Sequence, residues 1–170
     1  HLSIRRQRQM CIRDSIGGVF LLLVILAEYL VLNPDDYRAP LGTALLTAIA
    51  YAMILALSTS LESTDQRLIV ALPAITLGSG ILSMRILQLQ TDKAWPVLES
   101  AACLLVIAQF GSALHYLPIS PLAYGILILG TLFSMVNFII NLTNKISLTR
   151  ALIEAAIPFV LTIITALWLN

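Results

Sequence analysis

Residues 121–143 read PLAYGILILGTLFSMVNFIINLT, and this stretch decides the fold. It contains no Asp, Glu, Lys, Arg or His. A helix rises about 1.5 Å per residue, so a run of this length reaches across the roughly 30 Å hydrocarbon core of a bilayer. Its apolar residues do not alternate with polar ones, so it does not read as a strand of a transmembrane barrel. In lipid the remaining way to satisfy every backbone amide is a helix.

Working outward, five further runs share this character: Ile16–Leu32, Leu41–Ser60, Leu68–Leu89, Trp95–Leu117 and Arg150–Trp168. The separators are short and polar. Asn33-Pro34-Asp35-Asp36-Tyr37-Arg38-Ala39-Pro40 is a turn with two prolines. Pro96 and Pro121 stand where a first helical residue is expected. Links this short place neighbouring helices antiparallel, so the reading is an all-α, polytopic transmembrane bundle of about six spans. Composition agrees: the 170 residues are 59% hydrophobic and 11% charged, with a mean hydropathy of +0.93. A soluble domain carries about 25% charged residues.

The N-terminus needs separate treatment. Residues 5–15, from Arg5 to Ser15, resemble a translated sequencing adapter, and residues 1–15 are excluded from fold reasoning on that ground. The domain proper is then 16–170. This reading adds that the gene was read as a fragment and that the natural chain begins upstream of Ser15. Removing four arginines and Asp14 leaves six basic and eight acidic residues, which turns the net charge from +1 to −2. No basic patch for nucleic acid survives. Cys103 is then the one cysteine left, so no disulfide is expected within the chain.

Orientation follows from Lys and Arg near the span ends. Arg38, Lys93, Lys145 and Arg150 lie in or beside the first, third and fifth links, with Arg85 nearby. The opposite ends hold Arg67. The odd-numbered links are therefore expected in the cytoplasm.

Four ionisable side chains fall inside the spans: Glu28, Arg85, Glu99 and Glu154. Each lies about 6–9 Å in from an odd-numbered link at 1.5 Å per residue. They form a candidate polar layer in one leaflet. Charges in lipid are costly and call for partners. An Arg85–Glu99 pair tying two helices is the plainer reading, and a proton or cation path along the three carboxylates is the sharper one. Glu154 also stands one turn from Arg150, a favourable helical spacing. Ser134, Asn137 and Asn141 give the fifth span a polar face suited to hydrogen bonding with another helix. His115 stands near the opposite membrane surface, and a lone histidine is not a metal site.

Ala44, Ala48, Ala52 and Ala56 form a small-residue stripe on the second span. Such a stripe lets a helix approach closely, and contact within the chain is preferred over an oligomer surface. In the third span Pro73 and Gly78-Ser79-Gly80 can kink or loosen the helix, with Pro158 as a possible counterpart. Signatures of hydrolases, phosphate-binding loops and metal enzymes are missing, so the reading leans away from an enzyme, and no cofactor is expected.

The segment from Asn137 through Asn141, Arg150-Ala151 and Pro158 to Trp168 resembles the end of a bacterial family of uncharacterised multi-pass membrane proteins. That resemblance covers the last third of the chain. It implies a bacterial cytoplasmic membrane and no activity. The expected function is a structural or accessory membrane component, with a small transporter or ion-conducting subunit as the alternative. The expected partners are the lipid bilayer and a membrane protein or second copy.

Overall fold

The computed structural model describes residues 18–19, 21–32, 39–64, 66–91 and 95–170. The adapter-like residues 1–15 lie outside them, as do Arg38 and Lys93. Among the described residues the chain is all-helical. In order the helices are α1 (Leu21–Leu32), α2 (Ala39–Ser63), α3 (Leu68–Gln90), α4 (Val97–His115), α5 (Pro121–Thr143) and α6 (Leu148–Leu169). The five helices α2 to α6 are long and apolar enough to cross a membrane, whereas α1 is shorter. The first predicted span began at Ile16. Residues 16, 17 and 20 of that span are outside the described set, so its full length stays an expectation.

The chain forms two compact units, His1–Ile49 and Ala50–Asn170. In the first, α1 and the start of α2 cross closely. A Cβ at Gly42 would stand 2.9 Å from the Cβ of Leu30 and 3.0 Å from the carbonyl oxygen of Ala27. Only glycine permits that approach.

In the second unit, α5 is the central helix and packs against α3, α4 and α6. Its start is well specified. Ser120 caps it by accepting the Ala123 amide at 3.3 Å, and Pro121 takes the first turn, where its missing N–H costs nothing. Small residues set the crossings. Gly130 meets Thr162 of α6, and Gly125 meets Thr59 of α2. Tyr124, almost fully buried, donates its hydroxyl to the Gly111 carbonyl of α4 at 3.4 Å.

Helix α3 is one helix from Leu68 to Gln90 through Pro73 and Gly78-Ser79-Gly80, and Gly80 faces Leu104 of α4. Two expectations are corrected. First, Pro96 is the residue before α4, not its first helical position. Second, the alanine stripe is outward. The buried positions of α2 are Leu46, Ala50, Ile54 and Ser58, while Ala44, Ala48, Ala52 and Ala56 are exposed. Two residues correspond to about 200° around a helix, so the stripes lie on opposite sides. The inward one carries Leu46 and Ile54, which offer more dispersion contact than alanine.

Buried hydroxyls are satisfied within their own helices. Ser58 donates to the Ile54 carbonyl at 2.7 Å, Thr76 to Leu72 at 2.8 Å and Thr131 to Leu127 at 2.8 Å. This back-bonding lets a polar side chain sit in a dry helix bundle without a water partner. Ser134 is the exception: its hydroxyl is buried with no hydrogen-bond partner among the described residues.

Candidate functional site

Two side-chain clasps between helices of the second unit lie at its two ends. At one end, α5 and α6 are clasped by Glu154. Its two carboxylate oxygens are both engaged: Oε1 accepts from Arg150 Nε at 2.9 Å, and Oε2 accepts from Asn141 Nδ2 at 2.9 Å. The Arg150 partner lies one helical turn away, as the spacing predicts. The Asn141 partner reaches across from the neighbouring helix. Arg150 is 74% exposed and Glu154 40%, so this ion pair is a superficial one. Energetically the Asn141 bond matters more, because it joins two helices.

Arg85 and Glu99 lie on the packed α3/α4 pair. Gly80 of α3 faces Leu104 of α4. Counting five residues onward in α3 and five back in α4 brings Arg85 and Glu99 to one level. Both are partly buried, and each has an interaction partner. Glu28 is partly buried and engaged too, but it belongs to the first unit. Thus Arg85, Glu99 and Glu154 all lie in the second unit.

At the opposite end stands a pair that sequence reasoning missed. His115, the last residue of α4, places Nδ1 3.3 Å from Oε2 of Glu62, near the end of α2. The two are 21% and 16% exposed. A signal existed in the sequence. The second and fourth runs, as read from the sequence, both end at the even-numbered links, so Glu62 and His115 are expected at the same end of the bundle. Nearby, the Ser120 amide donates to Asn170 Oδ1 at 2.8 Å, fastening the end of the chain to the start of α5.

Among the described residues no cluster of three His, Cys, Asp or Glu side chains could hold a metal ion. Cys103 is buried and free.

Residues 6–169 match the family described as a protein of unknown function, DUF5656. The chain belongs to that family. The match runs through all six helices, α1 to α6, and includes part of the adapter-like stretch. No curated protein and no solved structure matches the chain. The DUF5656 assignment carries no activity, so the geometry of the two polar ends and the outer surface has to carry the functional argument.

Proposed function

We propose that this member of DUF5656 is a multi-pass integral membrane protein, a structural or accessory component whose helices are held by polar clasps at both membrane surfaces. One observation carries the reading: the inside-out distribution of side chains on α6. Its buried residues are Ala151, Ala155 and Ala166. Its exposed ones include Leu152, Ile153, Ile157, Val160, Leu161 and Ile164, all more than half exposed. In water that arrangement would leave a large apolar patch of the kind soluble monomers avoid. In lipid it places greasy side chains against acyl tails and small ones between helices.

The aromatic residues support it. Trp95 is exposed just before α4, and Tyr116 just after it. Trp168 is exposed at the end of α6. From Trp95 to Tyr116 the rise is about 31 Å at 1.5 Å per residue, close to the thickness of a hydrocarbon core. Amphipathic rings favour these two boundaries. The membrane we propose is the bacterial cytoplasmic one, with the Lys145 end in the cytoplasm. We favour the structural role over ion conduction because Glu154, one of the three acids such a path would use, ties α6 to α5 through Asn141 and pairs with Arg150.

The experiment is fractionation of cells expressing the full chain, followed by alkaline carbonate extraction. Retention in the pellet and release by detergent are expected. Recovery in the carbonate supernatant refutes the proposal.

A further inference from the structure

A groove of about 630 Å³ opens between α4 and α5. Leu98 and Ala102 line it from α4, and Phe138 and Leu142 from α5. Glu99 and Lys145 are the charged residues of the lining. Glu99 lies in the first turn of α4 and Lys145 two residues past the end of α5, so both charges stand at one mouth of a largely apolar groove.

The backbone at Lys145 makes that mouth unusual. The Lys145 amide donates to the Leu142 carbonyl and the Ile146 amide to the Asn141 carbonyl, both at 3.0 Å. With Lys145 at φ 58°, this is a Schellman ending to α5. Glycine is favoured at that position because a side chain strains the left-handed backbone. The chain carries a lysine there all the same. Strain retained at one residue is a reason to ask what its side chain does. Here the aliphatic stem can follow the apolar wall while the ammonium stays at the surface.

We propose that the α4/α5 groove seats one zwitterionic, amine-bearing phospholipid. The apolar walls take an acyl chain, Lys145 meets the phosphate, and Glu99 biases the headgroup amine toward itself. Opposite charges at one mouth suit a headgroup that itself carries both signs. A purely anionic headgroup would meet repulsion from Glu99. A quaternary amine has no N–H to donate to the carboxylate. Glu99 is engaged elsewhere as well, but a carboxylate offers about four acceptor sites. The inference rests on the membrane reading above.

The test uses the intact protein in detergent, with native mass spectrometry after incubation with phosphatidylethanolamine, phosphatidylcholine or phosphatidylglycerol of matched acyl chains. The wild type is expected to retain phosphatidylethanolamine about tenfold over phosphatidylglycerol, the size of one good polar contact. Lys145→Gly relieves the backbone strain, so the folded protein survives, and lipid retention falls at least about fivefold. Lys145→Asn, which also tolerates the left-handed region, gives the same loss. Glu99→Gln moves the preference toward phosphatidylglycerol. Equal retention of the three lipids by the wild type, or unchanged retention in both Lys145 variants, overturns the proposal. A protein that needs detergent yet shows no headgroup preference sinks this inference alone, whereas a protein stable in plain buffer sinks the membrane reading.

Discussion

Gly130→Ala tests the tightest contact between α5 and α6. A Cβ at this position would run into Oγ1 and Cγ2 of Thr162 and come within 2.6 Å of its Cβ. Thr162 cannot swing aside freely, because its hydroxyl is bonded to the Phe159 carbonyl at 2.7 Å. The helices must then separate, or Thr162 must abandon that bond and still leave its Cβ too close. Overpacking of this kind costs about 1–3 kcal/mol. The clash with three Thr162 atoms puts this site in the upper part of that range, about 2–3 kcal/mol; alanine is the better helix former by about 1 kcal/mol, so the net loss expected is about 1–2 kcal/mol. Thr162→Ala removes Oγ1 and Cγ2 but keeps the Cβ, so the double variant should recover only part of the loss. Thr162→Gly beside Gly130→Ala should recover the packing term fully, apart from the helix cost of the new glycine. The assay is reversible unfolding in mixed micelles with increasing SDS, followed by circular dichroism, with the interaction read from a double-mutant cycle. If Gly130→Ala matches or exceeds the wild type in stability, the α5/α6 crossing described here is wrong.

Three further outcomes follow from the polar groups and the outer face. Combining Glu62→Ala with His115→Ala in a double-mutant cycle should give a coupling of about 0.5–1.5 kcal/mol, as for a half-buried hydrogen-bonded pair; additive effects would refute the clasp. Ser134→Ala removes a buried hydroxyl that has no partner among the described residues, so stability should stay level or rise by up to about 1 kcal/mol in the same unfolding assay, and a clear loss would reveal a hidden partner. Ala52→Leu and Ala56→Leu lie on the exposed stripe of α2, so each should change stability within about 0.5 kcal/mol, whereas a loss of 1–3 kcal/mol would mean that the stripe is packed.

Most of the helical layout was legible in the sequence because long apolar runs between proline-rich and charged links leave little choice of structure. The α5 span was read with the bounds it adopts, since Ser120 and Pro121 mark its start chemically. The others shifted by one to three residues: α2 starts at Ala39, and α6 starts at Leu148 instead of Arg150. The facing of helices was much less legible. In α2 two stripes of period four run side by side, Leu46-Ala50-Ile54-Ser58 and Ala44-Ala48-Ala52-Ala56, and small residues alone do not say which turns inward. Both glycines of Gly78-Ser79-Gly80 were legible as a place where α3 can kink, but not as contact points with Leu57 and Leu104. Apolar periodicity is faint in a helix that meets protein on one side and lipid on the other, because both sides are greasy.

For the candidate polar residues the pattern was similar. Local pairs could be counted off, as with Arg150 and Glu154 one turn apart. Partners on other helices could not, since their choice depends on packing: Asn141 to Glu154, and Glu62 to His115. Lys145 was read as an orientation charge. Its left-handed backbone, and hence its interest, appears only when the end of α5 is seen to close on Leu142 and Asn141.

The central claim is that the outer face of these helices touches lipid. Leu161 is 58% exposed in the middle of α6, and on this account a bilayer shields it from water. In a background with Cys11→Ser and Cys103→Ala, a single Leu161→Cys change and a single Lys145→Cys change are compared in native membranes with a water-soluble maleimide, after opening the vesicles to expose both surfaces. Rapid labelling at position 145 and essentially none at position 161 until detergent or denaturant is added is the predicted result. Equal labelling at both positions would contradict the account.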